Sequence, residues 1–307
     1  MNKWTSACLT LAAVLAILQV AIAPVASAQA SRPLRVISEQ TVGGLVFPES
    51  VAYDPAAKVL YASEFGSKLD PTLKDGKGRI SKISLSGKVL EQQFLPAAGE
   101  VLNKPKGIWV RGDRLWVTDI DAVWIFDLKT KRGRKAALPG VQFANDPAVV
   151  GNVLFISDNR NDKLVRVEPA DFLNARSEPE VTTVFSGAQV NPNGLYPARD
   201  GTLLMVGFAA ADKPRPIFAL GVSGQIKALS EPIGRMDGIY EMQDGTLLAT
   251  DWDSGSLFSW SESAGMQKLA TGIKGPADFC VVPTATGLTV VVPDLVQSQL
   301  RFIRLGR

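Results

Sequence analysis

Residues 236–252 read Met-Asp-Gly-Ile-Tyr-Glu-Met-Gln-Asp-Gly-Thr-Leu-Leu-Ala-Thr-Asp-Trp, and no other stretch restricts the fold as much. Residues 239–242 read as a short strand. Asp244-Gly245 reads as a two-residue hairpin turn, because glycine reaches the positive φ that such turns need. Residues 246–250 read as the returning strand. Asp237, just before the first strand, and Asp251, just after the second, then fall at the same end of the hairpin.

The same grammar recurs five more times. Pro48-Glu49-Ser50-Val51-Ala52-Tyr53 leads to Leu60-Tyr61-Ala62-Ser63-Glu64, and Pro105-Lys106-Gly107-Ile108-Trp109 leads to Leu115-Trp116-Val117-Thr118-Asp119. Asn145-Asp146-Pro147-Ala148-Val149 leads to Leu154-Phe155-Ile156-Ser157-Asp158, and Pro192-Asn193-Gly194-Leu195-Tyr196 leads to Leu203-Leu204-Met205-Val206-Gly207. Pro276-Ala277-Asp278-Phe279-Cys280 leads to Thr289-Val290-Val291-Val292-Pro293-Asp294. With Glu49, Lys106, Asp146, Asn193, Asp237 and Ala277 taken as equivalent, the spacings are 57, 40, 47, 44 and 40 residues. A strand-built period of about 40 to 45 residues marks a β-propeller with about four strands per blade. Six copies predict an all-β, six-bladed β-propeller of four-stranded antiparallel blades around a central channel.

Residues 34–42 alternate and precede the first blade, so they are expected to pair with residues 300–305 and close the ring. Weaker outer strands are expected at 79–85, 123–128, 164–167, 217–220, 256–260 and 300–305. The one long interruption, 66–78, is rich in Lys, Asp and Gly. It is expected as a surface loop on the functional face.

Residues 1–28 hold one basic residue (Lys3), an apolar run from about residue 7 to 23, and the ending Ala26-Ser27-Ala28. That pattern predicts a secretory signal peptide cleaved after Ala28, leaving 29–307 as a single propeller domain in the periplasm or outside the cell. Cys8 leaves with the leader. Cys280 then stands alone, as a small buried residue with no disulfide partner. The chain has 33 basic and 30 acidic residues, a balance that points away from nucleic acid or a membrane surface and toward a small-molecule partner.

There is no histidine in the chain. This excludes Ser-His-Asp and Cys-His machinery, a His-ligated zinc site and a histidine general base. No P-loop or dinucleotide fingerprint appears. What remains is oxygen chemistry on one propeller face. The residues opening the inner strands, Glu49, Lys106, Asp146, Asn193, Asp237 and Ala277, ring the channel mouth, with Asn145 and Asp278 beside them. Carboxylate and amide oxygens in such a ring suit a hard divalent cation: Ca²⁺ is expected, with Mg²⁺, Mn²⁺ or Zn²⁺ as alternatives.

In their order, Pro48-Glu49-Ser50 with Tyr53-Asp54, Asn145-Asp146, Asn191-Pro192-Asn193-Gly194 and Asp237-Gly238 resemble the gluconolactonase, senescence-marker-protein and luciferin-regenerating-enzyme family. The resemblance spans residues 34–307. It implies one divalent metal over the channel of a six-bladed propeller, with lactone hydrolysis in the family's enzymes. By that resemblance Glu49, Asn193 and Asp237 are the metal ligands and Asn145 helps hold substrate; in a metal-dependent hydrolase Asp237 is then the carboxylate expected to take the proton of the attacking water. Lys106 stands beside them as a counter-charge or substrate contact. The chain also departs from the pattern. The family's sugar-lactone hydrolases carry Arg two residues before that Asn, where Phe143 stands here; Pro147 replaces the expected Gly. A phenyl ring cannot supply a guanidinium's donors to sugar hydroxyls.

Each residue also has a plainer structural role. Asn193 and Asp237, each before Gly, match polar turn residues. Asp119, Asp158, Asp251 and Asp294 end strands in four blades, as expected of carboxylates that accept backbone N–H bonds. Trp109, Trp116, Trp124, Trp252 and Trp260 fall on strands, as core residues do. Two functions follow: a metal-dependent lactone or ester hydrolase, or a non-enzymatic extracytoplasmic propeller, like the NHL-repeat proteins, binding a ligand or protein on the same face.

Overall fold

The computed structural model describes residues 33–307; the expected signal peptide and its cleavage site lie outside the described residues. Residues 33–307 form six four-stranded antiparallel sheets, each with consecutive strands as neighbours except the last, in which the first strand of the chain lies outermost. This is a six-bladed β-propeller. The innermost strands are Pro48–Asp54, Pro105–Arg111, Ala144–Val150, Pro192–Pro197, Met236–Glu241 and Cys280–Thr284. Arg35–Val42 pairs antiparallel with Gln299–Gly306, from Arg35 opposite Gly306 to Val42 opposite Leu300. The first and last described strands therefore close the ring within one blade. No helix among the described residues is long and apolar enough to cross a membrane.

The core is divided among the blade junctions. Six hydrophobic clusters each join residues of two adjacent blades; Trp116 and Ile125 of blade two, for example, pack with Val149 and Ile156 of blade three. This arrangement explains why the second strands Val59–Glu64, Arg114–Asp119 and Leu247–Asp251 are buried almost throughout. A strand covered on both faces reads as a continuous apolar run instead of alternating. The fourth strands show the opposite pattern. Val89–Leu95, Glu180–Ser186 and Gly265–Ala270 are mostly exposed or half-exposed. The segments expected at 79–85, 123–128 and 256–260 are third strands, and true outermost strands lie beyond them.

One correction to the hairpin reading positions the site. Asp237 does not precede its strand. The strand begins at Met236, and its pairing register shifts between Met236 and Ile239. The same irregularity falls between Pro48 and Ser50, Pro105 and Ile108, Ala144 and Pro147, and Pro192 and Leu195. A bulge bends a strand locally and re-aims one side chain. Here it does so at Glu49, Lys106, Asn145-Asp146, Asn193 and Asp237.

The glycines that follow these positions are not turn residues. A Cβ on Gly194 would lie 2.0 Å from the Asp237 carbonyl oxygen, and one on Gly238 would lie 2.6 Å from Cδ1 of Phe279. They are bare because the inner strands converge. The hairpin turn itself does use positive φ, with Gly245 at 81°.

Second strands clasp the next blade through a hydroxyl. Ser63 Oγ donates to the Lys106 carbonyl at 2.6 Å, Thr118 Oγ1 to that of Asn145, Ser157 Oγ to that of Asn193 at 2.6 Å, and Thr250 Oγ1 to that of Ala277 at 3.1 Å. Three of these oxygens also accept a bulge N–H of their own blade, from Ser50, Asp146 and Gly238. Val206 and Pro293 fill the matching positions of blades four and six. The junctions without a hydroxyl are those leading to Asp237 and Glu49, and there the Glu49 carbonyl accepts Asp278 N–H at 3.2 Å. Thr118→Val keeps the shape and leaves the buried Asn145 carbonyl short of a donor, so it is expected to destabilise the fold by about 1–3 kcal/mol. Urea unfolding measures it; an unchanged midpoint would show that the clasp contributes nothing.

Candidate active site

The bulged positions deliver their side chains to one cavity of about 550 Å³ at a channel mouth. Its wall includes Glu49, Lys106, Phe143, Asn145, Asn193 and Asp237. The residues given a metal, base or substrate role from the sequence thus border the same space, whereas three other members of the expected ring do not. Ala277 is buried beside Phe65 and Leu295 and is not part of that wall. Asp146 and Asp278 border a second cavity instead.

The strand-end carboxylates hold this mouth in place from behind. Asp119 accepts the backbone N–H groups of Asn103 and Lys104 at 2.9 and 2.8 Å, just ahead of Lys106. Asp158 accepts that of Gln142 at 3.0 Å, ahead of Asn145. Asp294 accepts those of Lys274 and Gly275, each at 3.0 Å. Each acid pins the segment entering its own blade's first strand; for Asp119 and Asp158 this fixes where Lys106 and Asn145 open into the cavity.

Within the cavity the polar groups bond to one another. Asn145 Nδ2 donates to Asn193 Oδ1, and Asn193 Nδ2 donates to the Met236 carbonyl at 3.2 Å. Trp252 Nε1 donates to Asp237 Oδ2 at 2.9 Å. Trp252 is therefore a wall residue and not core, contrary to what its place on the repeat suggests. Glu49 Oε2 is buried with no hydrogen-bond partner among the described residues. An orphaned carboxylate oxygen is costly inside a protein and marks a place where something else binds.

The electrostatics follow from this crowding. Burial, then the Asp237 charge, raises the Glu49 pKa well above the usual carboxylate range, against the pull of Lys106. Burial, then the Asp278 charge, pushes Asp237 up to about 7. Burial pushes Lys106 down to about 8, although Glu49 opposes it. Asp146 and Asp278 are also raised, chiefly by burial, Asp278 to about 7. Four buried acids thus share the channel and resist simultaneous ionisation.

The donor set fits a hard cation at the first mouth. Glu49 offers an unpartnered oxygen, Asp237 a carboxylate oriented by an indole, and Asn193 an amide oxygen. Among the described residues no three acidic, thiol or imidazole side chains form a metal-binding group, so an ion here depends on the amide as its third protein ligand.

Phe143 explains the departure from the sugar-lactone pattern in part. Its ring faces the Arg160 guanidinium at 4.0 Å and the Lys106 ammonium at 4.4 Å. Arg160 lies on the short 3₁₀ turn Asn159–Asn161, which follows directly after the strand end at Asp158. A guanidinium therefore does reach the cavity, from a different place in the chain than the pattern indicates. Phe65, Phe208, Trp252 and Leu295 make much of the remaining wall.

The loop 66–78 adds Leu69 and Pro71 to the wall. Lys104 anchors it, with a fully buried ammonium that donates to the Phe65 carbonyl at 2.8 Å and to Asp75 Oδ2 at 3.0 Å. Ser67 Oγ donates to the same Asp75 oxygen at 2.6 Å. The loop is tied down at its base. Its sequence alone favours a plain solvated loop, with a lid over the channel as the alternative.

Fold and site together define a six-bladed propeller whose channel mouth sets two buried carboxylates and two amides in a largely aromatic and aliphatic wall. No protein-family model matches the sequence, and no curated protein matches it. Solved structures do. A candidate gluconolactonase is similar with a TM-score of 0.63 and 14% identity, over 89% of this chain and 94% of that one. Virginiamycin B lyase from Staphylococcus aureus is similar with a TM-score of 0.59 and 14% identity, over 87% of this chain and 99% of that one. A catalytically inactive histidine-to-alanine form of that lyase, crystallised with quinupristin, is similar at a TM-score of 0.55, 14% identity, and 87% and 99% coverage. At this identity the likeness shows the shared fold.

Proposed function

We propose that the protein is an extracytoplasmic, metal-dependent hydrolase of lactones or esters that carry an apolar group. The observation that carries the proposal is the meeting of Glu49, Asn193 and Asp237, from blades one, four and five, with Asn145 on one cavity wall that includes the orphaned Glu49 oxygen. A divalent cation, when bound by Glu49, Asn193 and Asp237, would polarise an ester carbonyl and ease ionisation of water. The chain's own groups do the rest. Asn145 directs amide donors toward a bound acyl oxygen. Asp237, oriented by Trp252, accepts the proton of the attacking water. The aromatic and aliphatic wall excludes water and favours an apolar acyl or aryl group over a polyol. Arg160 offers a donor for an anionic substituent.

The candidate gluconolactonase among the structural neighbours supports a lactone as the substrate class. Elimination of the lyase type is less well supported. The inactive form of that neighbour lacks a histidine, and this chain has no histidine to play that part. The test is metal analysis of the purified protein, followed by a panel of aliphatic, aryl and sugar lactones and esters with and without chelator. The expected result is one tightly held divalent ion per chain and chelator-sensitive hydrolysis of apolar lactones or esters. No ion and no turnover would overturn the proposal and leave a ligand-binding propeller.

A further inference from the structure

The channel's opposite mouth holds a second cavity, of about 390 Å³. Trp109, Tyr196 and Tyr240 border it, each three residues beyond the site position of its own inner strand. The rings form a continuous array: Trp109 and Tyr196 lie 6.2 Å apart and tilted by 60°, and Tyr196 and Tyr240 lie 4.9 Å apart and tilted by 55°. Tyr53 and Phe279 add two further rings. Asp146 and Asp278 complete the wall, and among the described residues it includes no lysine or arginine. The Trp109 indole N–H is buried and has no hydrogen-bond partner among the described residues.

Each acid has few donors. Asp146 Oδ2 accepts the Leu195 N–H at 2.6 Å, and Asp278 Oδ2 accepts the Ser50 hydroxyl at 2.6 Å; Asp278 also receives the Phe279 backbone N–H. One or two neutral donors do not compensate a buried carboxylate, which needs a counter-charge to stay ionised inside a protein. Lys106 is buried at the other mouth, against Phe143. The second cavity therefore combines electron-rich ring faces with uncompensated acids. Anions are repelled there. A bare metal ion would meet mostly ring faces and too few oxygen ligands. A cation with an apolar surface satisfies both features, because ring faces attract onium groups and the acids neutralise them.

We infer that this mouth is a binding site for a small organic cation, a quaternary or protonated amine, seated against Trp109, Tyr196 and Tyr240 with Asp146 and Asp278 as counter-charges. The inference stands independently of the hydrolase, since it uses neither Glu49, Asn193 nor Asp237. Cation and substrate enter the channel from opposite ends.

The test compares choline with its uncharged carbon isostere 3,3-dimethylbutan-1-ol, by calorimetry and by indole fluorescence, on the full chain. Choline is expected to bind, and the isostere to bind at least about tenfold more weakly, since charge over aromatic faces drives the contact. Tyr240→Leu and Asp278→Asn are each expected to weaken choline by about tenfold, while Phe208→Leu at the other mouth leaves it unchanged. Should either of the first two variants fail to fold, magnetisation transfer between choline methyl groups and the Trp109 ring in the native chain locates the ligand. Equal binding of the two probes, no choline binding at millimolar concentration, or loss of binding with Phe208→Leu in place of Tyr240→Leu would overturn the inference.

Discussion

In the Asp237→Asn variant, divalent-ion binding and hydrolysis are expected to disappear while the ion-free protein becomes more resistant to heat. The first half follows from the two roles proposed for this side chain. As a ligand it is one of two carboxylates that the described residues place on the first cavity's wall, beside Glu49. As a base it would account for about 10²–10⁴-fold of the rate. Asparagine keeps the shape and an oxygen for the Trp252 indole, but it carries no charge and takes no proton. The second half follows from crowding. Asp237 is buried, and its charge raises the pKa of both Glu49 and Asp146. Removing one of several mutually repelling acids relieves the others. A site that gains stability when its chemistry is removed is one kept under strain for function. Metal content, kcat/KM and the ion-free melting temperature of one preparation decide the matter. Full ion occupancy and activity in the variant would defeat the mechanism. Lost activity with a lowered melting temperature would assign Asp237 to the fold.

The fold was legible because the hairpin unit of residues 236–252 repeats. A buried inner hairpin carries the same strand, turn and acid signals in each blade, whatever the function. The outermost strands were not legible. Segments such as Val89–Leu95, with four consecutive exposed residues, lack any alternation that solvent would impose. Closure was legible because residues 34–42 had no partner within the first blade. The clasping hydroxyls are in plain view without revealing their role. Ser63-Glu64, Thr118-Asp119, Ser157-Asp158 and Thr250-Asp251 all place a hydroxyl residue before the strand-end acid. That pair is the signal, but only the packed ring shows that the hydroxyl serves the next blade.

The site was legible residue by residue, and its setting was not. Glu49, Asn193 and Asp237 stand out because they open equivalent strands. Their shared cause is the register shift in each of these inner strands, which leaves no sequence mark beyond the bare glycine that follows Asn193 and Asp237, and likewise Lys106. Phe143 reads as the loss of a guanidinium, yet Arg160 brings one back from a turn 17 residues later. No spacing rule connects those two positions, because the contact depends on how the turn after Asp158 folds over the mouth. Trp252 and Trp109 pass for core on their periodicity. They face opposite mouths of the channel, and the rims of a propeller carry strand periodicity like its interior.

The ion-free protein should lose stability as pH rises through neutrality, and a divalent ion should restore it only at the upper end. Asp237 and Asp278 each titrate near 7 when folded, and Glu49 and Asp146 are also raised, in every case chiefly by burial. Unfolded, these groups titrate near about 4. The folded state therefore retains protons that the unfolded chain has already released. Their contribution is fully present below about pH 4 and is lost as pH climbs through about 7. A tenfold difference in proton affinity between the folded and unfolded chain is worth about 1.4 kcal/mol. Losing the equivalent of about a hundredfold across the cluster therefore lowers the melting temperature by roughly 5–10 °C in a domain of this size. An ion bound by Glu49, Asn193 and Asp237 competes with those protons. Calcium should therefore raise the melting temperature strongly at about pH 8 and little at about pH 5. Lys106, pushed down to about 8, releases its proton above that point and tempers the trend at the alkaline end. Differential scanning calorimetry across the range, with and without each divalent ion, reads the whole effect. A melting temperature that stays level or rises from about pH 5 to about pH 8 without ion would show that the acids are ionised in the fold. A fall that no divalent ion reverses would leave the acids protonated for a reason other than metal binding.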